Sequence, residues 1–534
     1  MMIIESGIIF AVILVMSASV LAGRHVKNTS DFLTGGGRTS TLLTAGGIVG
    51  TLIGSQSTLG TAQLAFTYGI SAWWFTLGTG LGCLILAVMY SDRLRNSGCT
   101  TQFQIIANNY GNSCGRSGAI LCTTGTFVSV LAQVIACIGF ISALYPSLSH
   151  LQASVITIIL MCLYIVSGGT WGAGMGGIVK LILLYASCAV CMILAVIKAG
   201  GVYEIFSGAE TMLLDSNLGS INHISNHSEF ISRYLSMSSR GILKDYGSCV
   251  SLMLGILSTQ TYMQFILSAK GSREAKASVL CGLFLVPPVG IAGILIGVFM
   301  RSHYILQSEV NMLLSMNLPV PDMPVIANTI QIFPTFIIDY ISPVMAGLML
   351  GTLLITVVGG SSGLLLGISA IVTEDILSSI RFIQKHKLLF SRIAIIITLT
   401  VSSVIANIIP VQTINDLGFL SMTLRSSVVF MPLTCALWLG ERISSRFILA
   451  SIILSPVIAI LSVVSGVSIE PLFIGMCVSI MCCIAGFMYN CRKRYCERIV
   501  NHDQENHQEN HECCPESPEI SISGKIVRNQ VPYS

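Results

Sequence analysis

Thirteen segments of this chain are long and apolar enough to cross a bilayer, near 6–23, 40–66, 70–91, 117–145, 151–169, 177–199, 246–268, 278–300, 336–370, 389–409, 415–439, 447–466 and 471–490. In hydrocarbon every backbone group must be satisfied internally, so this pattern leaves helices as the building block. Only 10% of the 534 residues are charged and 53% are apolar, whereas a soluble chain is about a quarter charged. The expected fold is an all-α polytopic membrane protein with 13 transmembrane helices, not a globular domain with an anchor.

The basic residues orient it. Placing the N-terminus outside puts 21 lysines and arginines on the inner side and five on the outer, namely Lys198, Arg233, Arg240, Lys244 and Arg301. The positive-inside rule then predicts a multi-pass protein of the cell membrane with its C-terminus in the cytoplasm. The first apolar run lacks a basic leader and a small-residue cleavage site and is followed by Arg24 and Lys27, so it reads as a retained span. The 18 cysteines avoid the two longest outer loops, which argues against a disulfide framework. The net charge of +4 comes from loop lysines and arginines and points to no nucleic acid. The polar stretch 499–534 reads as disordered. Its His502, His507, His511, Cys513 and Cys514 leave a metal-binding role open.

The second segment is interrupted. Residues 49–61 hold Gly50, Gly54, Gly60 and a run of serines and threonines that includes Ser55, Ser57 and Thr58. Such a composition makes poor continuous helix. Backbone freed at membrane depth must line a protein-walled cavity, and secondary transporters bind their solutes at such breaks. A glycine packing face is the alternative. The seventh segment carries a matching polar centre, Gly255 through Ser258, Thr259 and Gln260 to Thr261. Corresponding interruptions suit an inverted five-plus-five repeat. The expected units are an extra first helix with its entry loop (1–39), repeat 1 (40–199), an extracellular loop (200–242), repeat 2 (243–439), two accessory helices (440–490) and a cytoplasmic disordered tail (491–534).

Several short motifs carry a resemblance. They are Asp31-Phe32 with Gly35-Gly36-Gly37-Arg38; Gly60, Tyr68-Gly69 and Ser71-Ala72-Trp73-Trp74; Gln264 with Ser268-Ala269-Lys270 and Ser272-Arg273-Glu274-Ala275; Thr373-Glu374-Asp375-Ile376; and Pro432. As a set, from about residue 6 to 490, they resemble the sodium:solute symporter family, with Phe265 where that family usually has arginine. The resemblance implies a leucine-transporter-type fold, alternating access, and a sodium site between the second and ninth spans. Aligned on these motifs, the coordinating carbonyls fall at Gly50 and Ile53. The positions of two completing hydroxyls fall on Gly359-Gly360, which have none. A slip of two would bring Ser361 and Ser362 there, and Thr356 is a further candidate. The family's nearby aspartate position falls on Gly177.

Ionisable groups at membrane depth are costly and mark function by default. None of the nine histidines sits in the middle of a span, and Asp339 and Asp416 lie near span ends. Lys180 lies just inside the sixth span, one turn beyond Gly177. It is either a snorkelling residue or a stand-in for the cation, donating to the Gly50 and Ile53 carbonyls; a buried lysine can load and release a proton. Arg425 sits mid-span, as a substrate anchor for an organic anion or as a structural arginine that caps helix carbonyls or pairs with Asp416. Trp73 and Trp74 suit belt anchors better than gates, and Trp171 and Tyr262 are further candidate gates.

The expected function is a secondary active transporter, not an enzyme, that couples a small polar or anionic solute to Na⁺ or H⁺. Its partners are that solute, the coupling cation and the lipid bilayer, with no cofactor beyond Na⁺ as coupling ion. The substrate candidates are Ser55, Ser57, Thr58, Ser258, Thr259, Gln260 and Arg425; the ion candidates are Gly50, Ile53, Thr356, Ser361 and Ser362. A non-transporting solute sensor or a channel-like protein is the alternative.

Overall fold

The computed structural model describes residues 2–409, 414–467 and 469–512. In chain order α1 is Met2–Ala22, α2 Thr41–Leu52, α3 Thr61–Tyr68, α4 Trp74–Ile85, α5 Gln102–Tyr110, α6 Asn112–Leu144, α7 His150–Ile165 and α8 Gly169–Ala199. There follow α9 Ile242–Leu257, α10 Gln260–Ser268, α11 Ser272–Arg301, α12 Pro343–Ile371, α13 Lys387–Ala406, α14 Ile414–Trp438, α15 Ser445–Val464 and α16 Pro471–Glu512. Among the described residues ten helices are long and apolar enough to cross a membrane, or eleven if the bent pair α9 and α10 is one span. The second and fifth expected spans fall short as single helices, since α2 has 12 residues and α7 has 16.

Helix α12 is the centre of the bundle, with 94% of its apolar stretch buried, against 28% for α1 at the periphery. Small residues let backbones approach where no hydrophobic force separates protein from lipid. Gly347 and Gly351, one turn apart on α12, seat α1: a Cβ on Gly347 would lie 2.3 Å from the Ile4 carbonyl oxygen, and one on Gly351 2.7 Å from that of Ile8.

Several boundaries differ from expectation. The sixth helix begins at Gly169, not 177, because Gly172, Gly174, Gly176 and Gly177 form a helical packing face. The ninth begins at Pro343, after a separate helix Ile332–Tyr340 in which Asp339 accepts from the Tyr304 hydroxyl at 2.5 Å. The loop 302–335 departs from the all-helical expectation with a parallel pair of two-residue strands, β1 Ile305–Leu306 and β2 Val325–Ile326. The last helix continues to Glu512, past the boundary expected for the tail; Cys513 and Cys514 lie outside the described residues.

Segments of 222–240 and 301–309 cap the end of α3. The Tyr234 hydroxyl donates to the Phe66 carbonyl at 2.8 Å, and the Arg301 guanidinium lies 4.9 Å from the centre of the Phe66 ring. Arg301 pairs with Glu309 at 2.8 Å. Burial opposes the Glu309 charge; the Arg301 charge and hydrogen bonds from Arg301, Asn222 and the Leu306 amide outweigh it and hold the carboxyl below its ordinary range.

Candidate functional site

Both expected breaks are present. Helix α2 stops at Leu52 because Ile53 takes an extended conformation (φ −91°, ψ 91°). The chain resumes as one π-helical turn, Gln56–Gly60, which runs into α3; such turns are frequent at functional sites. The second break is Ser258-Thr259, where α9 and α10 meet at 48°. The two broken helices face each other: a Cβ on Gly47 of α2 would fall 2.2 Å from the Phe265 ring of α10. Each break is tied by a glutamine from another element. Gln133 Oε1 of α6 accepts from the Ser55 amide at 3.0 Å, and Gln102 Nε2 donates to the Ser258 carbonyl at 2.9 Å.

Helix α8 crosses α2 on glycine. A Cβ on Gly50 would lie 2.9 Å from the Gly177 Cα, and one on Gly177 would lie 2.1 Å from the Gly46 carbonyl oxygen. A carboxylate at position 177 therefore has no room. One turn on, Lys180 is fully buried. It stands 11 residues into α8, about 16 Å along it at 1.5 Å per residue, and its amine turns into the bundle instead of extending to the surface as a snorkelling lysine's would. Its Nζ donates to the Gly50 carbonyl, to the Ile53 carbonyl at 2.9 Å and to the Thr356 carbonyl at 3.5 Å. Three N–H donors thus meet three carbonyls. Two of these belong to the C-terminal end of α2, whose orphan carbonyls and negative dipole end favour a cation.

Helix α12 is shaped around this amine. A Cβ on Gly359 would lie 2.9 Å from Lys180 Nζ, and one on Gly360 would lie 2.7 Å from the Gly54 Cα. The neighbouring hydroxyls turn back on their own helix: Ser361 to Val358 at 2.7 Å, Ser362 to Gly359 at 2.6 Å, Thr356 to Thr352 at 2.7 Å. The two-residue slip therefore directs no hydroxyl toward Gly50 and Ile53, and Thr356 contributes its carbonyl, not its hydroxyl. The residues present do not fit a sodium ion in that position, because its carbonyl ligands already hold the amine.

Most of the expected substrate residues are tied within the breaks. Ser57 donates to Leu52, Thr58 to Gly54, Ser258 to Leu254 and Thr259 to Gly255. Gln260 accepts from the Gln102 amide and donates to Thr100. The Ser55 hydroxyl is buried and has no partner. Beside it a polar seam lies unpartnered between the π-turn and α14. A Cβ on Gly418 would meet Gln56 Nε2 at 2.4 Å, and one on Gly60 would meet Asn415 Oδ1 at 2.2 Å. Gln56 Nε2 and both polar atoms of the Asn415 amide lack partners.

Arg425 is fully buried and reaches the second break. Its Nη1 donates to Thr259 Oγ1 at 2.8 Å, its Nε to the Ser421 carbonyl at 3.2 Å, and its Nη2 faces Met422 Sδ at 3.0 Å. These three partners are all neutral. Asp416 lies instead in a separate cavity with Lys244 and Glu470, so the pairing with Arg425 is absent, while the bond to the Ser421 carbonyl is the helix-carbonyl contact that the structural alternative expected. Trp73 and Trp74 donate to the carbonyls of Pro287 and Met237 and anchor α4 against its neighbours; Tyr262 is buried, and Trp171 stacks on His25.

Sequence reasoning missed Gln133 and Gln102. Both are buried amides beside a break, and Gln133 lies within the fourth apolar segment, a signal that a search confined to ionisable groups passes over.

The sodium:solute symporter family profile matches residues 32–440. The uncharacterized symporter YwcA of Bacillus subtilis (strain 168) is 28% identical over 189 residues, which are 35% of this chain and 36% of that protein. The chain thus spans about a third of the length of this curated relative. A solved structure of a Na⁺-coupled sialic acid symporter, substrate-bound and outward-open, superposes with a TM-score of 0.71 at 17% identity, covering 91% of this chain and 97% of that one. At that identity the likeness establishes the fold.

Proposed function

Because the chain belongs to the sodium:solute symporter family, we propose that it is a secondary active transporter that moves a small polar or anionic solute against its gradient by alternating access. The observation that carries the reading is the Lys180 amine seated on the Gly50, Ile53 and Thr356 carbonyls at the break of α2. It links the broken helix, α8 and α12 through one charged group. Coupling then runs on protons. With Lys180 charged, the three helices are tied at the break. When Lys180 gives up its proton, the charge-assisted bonds to Gly50, Ile53 and Thr356 are lost, and the inner half of the broken helix is free to move. The glycines at 177 and 359 support this over sodium coupling, since a side chain at 177 would strike the Gly46 carbonyl and position 359 offers no side-chain oxygen and packs against the lysine tip.

The solute site lies between the two breaks. Arg425, buried beside Thr259 with neutral partners, supplies an uncompensated positive charge. Buried charge is costly when unpaired, so a carboxylate or phosphate on the solute is the natural complement. Ser55, Gln56 and Asn415 offer further unpaired polar atoms for its hydroxyl or amide groups.

The finer architecture follows from the same reading. Thirteen spans result if α2, the π-turn and α3 together form the second and α7 the fifth. The breaks at the start of each half support an inverted repeat over 40–199 and 243–439. The basic asymmetry supports a cell-membrane protein with its N-terminus outside, which labelling of Cys513 from outside intact cells would overturn. The function is tested by uptake of a panel of organic anions into proteoliposomes, with Na⁺ and pH gradients imposed separately. Accumulation on the pH gradient alone is expected; accumulation that requires Na⁺ and ignores pH would return the site to sodium.

A further inference from the structure

On the side that carries the basic loops, α1, α2 and α8 leave a cavity of about 750 Å³ that no part of the transport reading uses. Its walls are apolar and open outward: Leu42 is 65% exposed, Leu21 52% and Met175 41%. Its polar rim is basic, with Arg38, Lys270 and His25, and no carboxylate lines it. Arg38 is held by Asp31 at 2.5 Å, which cancels one charge, while no ion pair neutralises the exposed Lys270 among the described residues. Trp171 is among the residues that line it. Its ring stacks on His25 at 4.7 Å and 16°, and its buried indole N–H has no partner.

We propose that this groove is a binding site for one anionic phospholipid. An apolar channel between membrane-depth helices takes an acyl chain. The basic rim takes the phosphate, because Lys and Arg near a membrane surface attract anionic lipid. The unpaired Trp171 N–H suits an ester or phosphate oxygen, as indoles do at the interface. Charge complementarity favours this occupant over a zwitterionic lipid, and the depth of the apolar walls favours it over a soluble anion.

The position gives the lipid a consequence. One wall is the inner half of the broken helix, through Leu42 and Leu43, and another is α8 at Ile178, two residues before Lys180. A bound lipid braces α2 against α8 through Leu43 and Ile178. It therefore favours the arrangement in which that half is held, and uptake depends on anionic lipid.

The test is native mass spectrometry of the full chain in detergent, titrated with phosphatidylglycerol or phosphatidylcholine of the same acyl chains. The wild type is expected to retain phosphatidylglycerol preferentially, with Lys270→Gln weakening it about fivefold, the amount one basic residue near an anionic surface contributes. Trp171→Phe keeps the ring, removes the donor, and is expected to weaken it as well. Equal retention of the two lipids, or a Lys270→Gln variant that retains phosphatidylglycerol as the wild type does, would overturn the proposal. Inorganic phosphate competing at millimolar concentration would assign the rim to a soluble anion and overturn it too. These readouts need no transport, so they stand apart from a failure of the transport reading.

Discussion

Gly359→Ala is the smallest change that separates the Lys180 amine from its carbonyls without touching the lysine. The added Cβ would sit 2.9 Å from Lys180 Nζ and 3.0 Å from its Cδ. Relaxed contacts between such atoms lie at about 3.5–4.0 Å, so the tip must move by about half an ångström or more. The Thr356 contact, already 3.5 Å, goes first, and the Ile53 bond stretches from 2.9 Å. A hydrogen bond to a charged group contributes about 1.5–3 kcal/mol. Losing one shifts the balance between the tied and released arrangements by about 10- to 100-fold. The displaced atoms are the far end of a flexible side chain, so the bundle itself survives. The assay is uptake into proteoliposomes across a series of imposed pH gradients, alongside thermal unfolding in detergent. The expected result is uptake reduced at least tenfold, with a midpoint lowered by only a few degrees. Wild-type rate and pH dependence in Gly359→Ala would refute the idea that the amine's seat at this break couples the cycle.

Three other outcomes follow from single contacts. Arg425→Gln is expected to raise KM for transported anions about 10- to 100-fold; an unchanged KM for every anion would remove the substrate role. Gln133→Leu leaves the Ser55 amide without its acceptor, at a cost of about 1–3 kcal/mol, and amide exchange at Ser55 should quicken while distant helices keep their protection. Glu309 has its carboxyl held below the ordinary range, so its pairing with Arg301 stabilises the cap on α3 fully above about pH 4.3 and is lost as pH falls through the lowered value. Glu309→Gln should cost about 3–5 kcal/mol at neutral pH and flatten the acid side of the stability profile; identical acid profiles for variant and wild type would contradict this.

The breaks were legible because glycine, serine and threonine at membrane depth conflict with a continuous helix. Gly50 and Ile53 were reachable only by aligning the motifs, since a carbonyl leaves no mark in the sequence. The depth of Lys180 was hidden by its surroundings. The glycines at 172, 174 and 176 fall between the expected fifth and sixth spans, whereas Gly172 and Gly176 meet Ser19 of the first helix and Gly174 meets Leu43 of α2, which sets the lysine three turns inside. The choice between Gly359-Gly360 and Ser361-Ser362 could not be read from residue types either. Hydroxyls in a helix can bond to their own preceding carbonyls, and only the packing of Gly359 against the lysine tip tells which turn faces the break. Arg425 was legible as a charge at depth, but its place beside Thr259 depends on how α14 packs on α9 and α10. The unpartnered seam of Gln56 and Asn415 joins residues more than 350 apart, beyond the reach of any local pattern.

The most direct measurement follows internal pH in sodium-free proteoliposomes when a transported solute is added outside. If Lys180 carries the coupling proton, solute addition acidifies the lumen in the wild type, and Lys180→Ala abolishes that signal while retaining solute binding. Solute entry in the wild type with no proton movement, or proton movement that persists in Lys180→Ala, would contradict the account.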